Sequence, residues 1–157
     1  MKPMPRLLRS MFFFFAFSFG LIPSLVWPQS SDYKFVDSEG HDVALPHQPI
    51  YTVADPGPWK GLELQHLPQA TWHMRQQGLE MIRILVVRVP HAMGDKNKGR
   101  IEAIYVLDKD DLIIGYHAFG AMKKEAVADI WINGVINYVQ IVVGCSRHGL
   151  WKKTFRF

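Results

Sequence analysis

From Gln69 onward the chain is divided into short runs rich in β-branched residues, and each run ends at a cluster of turn residues. Glu80 to Val89 is the clearest: Ile82, Ile84, Val86 and Val87 favour extended backbone, with Arg83 and Arg88 between them. Ala70 to Arg75 precedes it, across a turn at Gln76-Gln77-Gly78. Ile101 to Leu107 follows the polar loop Gly94 to Gly99, and Asp108-Lys109-Asp110-Asp111 turns the chain into Leu112 to Ala118. Ala126 to Ile132 and Val135 to Val143 flank Asn133-Gly134, a pair that favours a tight type I′ hairpin. Strands of this length and spacing predict an all-β antiparallel sandwich. A brief stretch around Met122 to Val127 fits either a helical turn or a loop.

The N-terminal part has a different character. Lys2, Arg6 and Arg9 precede an apolar run from Met11 to Ile22, the layout of a secretory signal. The run is short for a membrane span, and Pro23 interrupts its continuation to Trp27. Residues 1–28 are therefore expected to be a signal peptide, or an N-terminal anchor if retained. The folded part is then placed in the periplasm or another extracytoplasmic space. Residues 29–58, punctuated by Pro46, Pro49, Pro56 and Pro58, read as a loop-rich lead-in with a short strand near Ile50 to Val53, and residues 59–157 as the principal domain. The three basic residues of the leader account for most of the formal charge of +4, so the balance gives no support for nucleic acid binding. No glycine-rich nucleotide motif is present.

The chain has one cysteine, Cys145, so it forms no internal disulfide. A free thiol in an oxidising compartment is exposed to oxidation unless it is buried or held by a metal. His148, three residues on, favours the metal. Of the seven histidines, His66 (before the first core strand), His91 (where the strongest strand ends) and His148 stand at strand ends, where a rigid sandwich mounts ligands well. A thiolate with several imidazoles suits iron or copper.

Three motifs, His66-Leu67-Pro68, Val89-Pro90-His91-Ala92-Met93 and Cys145-Ser146-Arg147-His148-Gly149-Leu150-Trp151, together resemble the iron-binding domain of the superoxide reductase family, desulfoferrodoxin and neelaredoxin. The resemblance runs from about Lys60 to Lys152 and implies an immunoglobulin-like β-sandwich. It assigns His66, His91 and His148 as equatorial ligands of a mononuclear iron and Cys145 as the axial one. It implies reduction of superoxide to hydrogen peroxide, with electrons from an external donor protein and an open coordination position for the substrate. Homo-oligomerisation is compatible with it.

Two positions depart from the family. The fourth equatorial histidine is expected six residues after His91, where this chain has Asn97. Three outcomes are open there: three histidines with the cysteine and a water, recruitment of His73 or His117, or a degenerate site. The family often has Glu-Lys directly before the first histidine, where this chain has Leu64 and Gln65; Lys60 and Glu63 are the nearby candidates for a catalytic role. A cupredoxin-like copper carrier is the rival reading of Cys145, His148 and His91. It leaves His66 without a task and lacks a methionine after His148. A non-catalytic metal-binding relative is the other.

Overall fold

The structure, a computed structural model, describes residues 34–93, 99–134 and 136–157. The expected signal segment, Asn97 and most of the loop around it lie outside the described residues. Among the described residues no helix is long and apolar enough to cross a membrane.

The described residues form ten strands. β1 (Phe35–Val36) and β2 (Asp42–Val43) make a small antiparallel hairpin. Its turn is held by the Asp37 carboxylate, which accepts from the backbone N–H groups of Glu39 and His41 at 2.9 Å. β3 (Ile50–Tyr51), β10 (Gly149–Arg156), β9 (Tyr138–Cys145), β6 (Ile101–Leu107) and β7 (Ile113–Ala118) lie side by side in a five-stranded sheet. β4 (Gln69–Gln77), β5 (Glu80–Val89) and β8 (Ala126–Trp131) form a three-stranded sheet.

Alternation along the strands builds the core. Leu85, Val87 and Val89 of β5 and Ala126, Ala128 and Ile130 of β8 face Ile104, Val106, Ile141 and Val143 of the larger sheet, all buried. The opposite face of the larger sheet buries Ala103, Tyr105, Leu107, Val142 and Leu150, and Val43 and Leu45 of the lead-in cover it. Residues 34–58 are thus part of the sandwich.

The all-β sandwich agrees with the sequence, and three details differ. First, Ala126–Ile132 and Val135–Val143 do not form a hairpin. β8 pairs with β5, whereas β9 pairs with β6 and β10, so residues 132–137 carry the chain from one sheet to the other. Gly134 has the left-handed φ of +85° that the Asn-Gly pair favours. Buried Ile132, with Ile136 packed on the core, anchors a crossover there instead of a tight turn. Second, the sheets are not wholly antiparallel: β3 runs parallel to β10, Ile50 beside Leu150 and Tyr51 beside Trp151. Third, β10 follows the Cys145–Gly149 turn, so that turn is the bend of a β9–β10 hairpin. The stretch around Met122, whose sequence fits either a helical turn or a loop, is loop until β8 begins at Ala126. The helical elements are a 3₁₀ turn at Gly57–Trp59 and α1 (Glu63–His66).

Candidate metal centre

The register places the start of β4, the end of β5, the start of β8, the end of β9 and the start of β10 at one end of the sandwich. Gln69 lies opposite Arg88, Val89 opposite Ala126, and Cys145 opposite both Ile101 and Gly149. His66, His91, Cys145 and His148 converge at this end. Each offers one ligand atom, and these atoms all lie within 4.8 Å of one another.

Local structure explains how each arrives. Cys145 closes β9 and is buried; Gly149, with φ of +72°, opens β10, and the three residues between them form the hairpin loop. This loop turns His148 back on the thiol, with Nδ1 3.4 Å from Sγ. His66 ends α1 and is fully buried. His91 leaves β5 through a tight turn about Pro90, its backbone N–H donating to the Val89 carbonyl at 2.8 Å. Its Nε2 is 3.9 Å from Sγ.

Two backbone carbonyls decide which nitrogens face the cluster. The Nδ1–H of His66 donates to Leu62 O at 2.8 Å, and the Nδ1–H of His91 donates to Ala92 O at 2.7 Å. Both Nε2 atoms therefore present a lone pair, and that of His66 accepts from Nδ1–H of His148 at 3.0 Å. Carbonyl-anchored imidazoles with their second nitrogen aimed at a shared point are the usual support of metal-ligating histidines. Burial, with the nearby His91 and His148, pushes the His66 imidazole down to about 4, so it is neutral and ready to ligate. Burial lowers His148 as well.

Aromatic rings wall the cluster. Trp151 stacks on His66 and donates Nε1–H to the carbonyl of His148 at 3.1 Å, while Trp59 meets the His148 ring edge-on at 4.9 Å. Gly99, buried with φ of +80°, closes one side. A Cβ there would stand 3.0 Å from the Arg147 Cβ and 3.3 Å from the Cys145 Sγ. Neither the wall residues nor the two carbonyls could be found from the sequence, apart from Trp151 in its motif.

The remaining candidates stand elsewhere. His73 projects from β4 beside Thr71, 3.1 Å from its hydroxyl. His117 sits on β7 against Phe119, and its Nε2 is buried without a hydrogen-bond partner. Neither belongs to the cluster, so among the described residues the candidate ligand set consists of the four named side chains. Lys60 is exposed at the end of the 3₁₀ turn. Glu63 opens α1, and its carboxylate accepts from the Gly61 N–H at 2.8 Å, which holds it below the usual carboxylate range.

No family model and no curated relative matches the chain. Solved structures do. The superoxide reductase (neelaredoxin) of Ignicoccus hospitalis matches with a TM-score of 0.50 and 16% identity, over 69% of this chain and 92% of that one. The superoxide reductases of Nanoarchaeum equitans (TM-score 0.42, 15% identity, 69% and 100% covered) and Giardia intestinalis (0.39, 17%, 55% and 95%) are more distant. The chain shares the sandwich fold of the Ignicoccus protein.

Proposed function

We propose that this protein is an exported mononuclear iron protein that reduces superoxide to hydrogen peroxide, drawing electrons from an external one-electron donor protein. The observation that carries the reading is the convergence of three imidazoles and one thiol within 4.8 Å at the loop end of the sandwich. The donor set fits iron: a soft thiolate gives it redox character, and two of the imidazoles are anchored through carbonyls so that Nε2 points inward. The third imidazole, buried His66, also favours this reading over a copper carrier with two histidines and a cysteine.

Bound iron would supply the one electron that, with two protons, converts superoxide to hydrogen peroxide. The chain's own residues set the conditions. Cys145 would give its proton up to serve as a ligand, and its thiolate would supply electron density and negative charge to the bound metal. The rings of Trp151 and Trp59 shield the imidazoles from bulk water on their sides. Exposed Lys60 adds positive field near the mouth, and the Glu63–Gly61 bond fixes the turn that delivers α1 and His66.

The test is metal analysis and visible spectroscopy of the purified protein, followed by superoxide consumption. Bound iron is expected, with an oxidised-state band that bleaches on reduction and disappears in Cys145→Ala along with turnover. An intense blue copper band would replace this reading with the carrier. Absence of bound metal after reducing purification would leave a non-catalytic relative.

A further inference from the structure

Past the last pair of the β5–β8 ladder, Val89 with Ala126, the two chains part. One continues into Pro90 and His91, and the other arrives from Lys124 and Glu125. Between them opens a cleft of about 330 Å³, lined by Arg88, His91, Lys124, Glu125 and the ends of the two strands. That volume is at the small end of ligand-binding clefts and suits a small ion. His91, one of the four converging ligands, forms part of its wall.

The charge of this cleft distinguishes it. Two cations and one carboxylate leave it net positive. Elsewhere on the surface many cations are committed: Lys34 to Asp42, Arg75 to Asp129, Lys109 to Asp110, and Arg100 to the carbonyls of Phe119 and Gly120. Arg88 and Lys124 have no ion pair or hydrogen bond from their side chains among the described residues. Uncompensated cations at the wall of a cleft focus their field into it and raise the local concentration of anions.

We propose that this cleft is the approach for a small monovalent anion to the metal centre, with Arg88 and Lys124 as the steering groups. The proposal rests on the iron reading and deepens it: the substrate is superoxide, and its guidance comes from the β5 and β8 ends in addition to the Lys60 turn. Arg88 and Lys124 act through their field and take no part in the electron transfer.

The experiment compares the iron-loaded parent with the double variant Arg88→Gln/Lys124→Gln, and with Lys109→Gln as the removal of one positive charge far from the cleft. The second-order rate constant with superoxide is measured by pulse radiolysis at rising salt, and azide affinity is measured from the visible spectrum of the oxidised protein. The double variant should keep its iron content and spectrum. Its rate should fall about tenfold at low salt, converge on the parent at high salt, and be accompanied by weaker azide binding. Lys109→Gln should match the parent. A double variant with parental rate, salt slope and azide affinity overturns the proposal and leaves the reductase reading intact. A parent that binds iron and ignores superoxide removes that reading, and azide affinity then decides the cleft alone.

Discussion

The indole of Trp151 lies nearly parallel to the imidazole of His66, ring centroids 5.0 Å apart and planes inclined by 16°. The same indole donates to the carbonyl of His148. One fully buried side chain therefore braces two ligands that are 82 residues apart in the chain. Trp151→Ala should cost about 3–5 kcal/mol, as for other buried large aromatic residues. Trp151→Phe keeps a stacking surface and loses the hydrogen bond, so it should cost about 1 kcal/mol from that bond. Urea unfolding of the metal-free protein measures both, and a Trp151→Phe variant as stable as the parent would contradict the separate role of the indole N–H.

The depressed His66 ties stability to pH. In the unfolded chain the imidazole titrates near its ordinary 6.5, and in the fold only near 4. Between these values the unfolded state binds more protons, so stability is present above 6.5 and is lost as pH falls toward 4. The full loss is on the order of 3 kcal/mol. Lowered His148 acts in the same direction. The urea midpoint of the metal-free protein should fall steadily from pH 7 to pH 4.5, and His66→Phe should flatten that dependence.

Gly99 is a position where a single methyl group should matter. Its φ of +80° disfavours any L side chain, and the added carbon would press on Arg147 and on the Cys145 sulfur. Gly99→Ala should destabilise the fold by about 1–3 kcal/mol. It should also weaken metal binding, because the sulfur must move. Metal retention against a chelator, compared with Gly40→Ala, separates the two effects: Gly40 also has positive φ, with nothing within 4 Å of its added carbon.

Asn97 stands where the superoxide reductase resemblance expects a fourth imidazole. Asn97→His should tighten iron by at least about tenfold, near 1.4 kcal/mol, in competition with a chelator. Unchanged affinity would show that the centre does not use this position.

The sequence showed β5 plainly, because β-branched residues fill it, and it showed the Asp108–Asp111 turn. It misled at Asn133-Gly134. Ala126, Ala128 and Ile130 alternate into the core, Val139, Ile141 and Val143 face the same core, and this pattern fits a hairpin and a crossover equally. Only the competing partners, β5 for one and β6 with β10 for the other, decide. β10 was obscured by Lys152, Lys153 and Arg156 along its length. The four converging side chains were legible because each sits near a proline, a glycine or a strand end. The anchoring carbonyls of Leu62 and Ala92 were not, since they depend on ring rotation and on local backbone direction.

The parallel seam between β3 and β10 has a consequence for when the centre can exist. The 3₁₀ turn carrying Trp59, and α1 carrying His66, follow β3 directly, and β3 is pinned beside the last strand of the chain. The two segments, Trp59 to His66 and Cys145 to Trp151, thus hold members of one cluster that lie 82 positions apart in the chain. Closing so long a loop is a late event. The cluster is therefore complete only once the Cys145–Trp151 segment has docked beside β3.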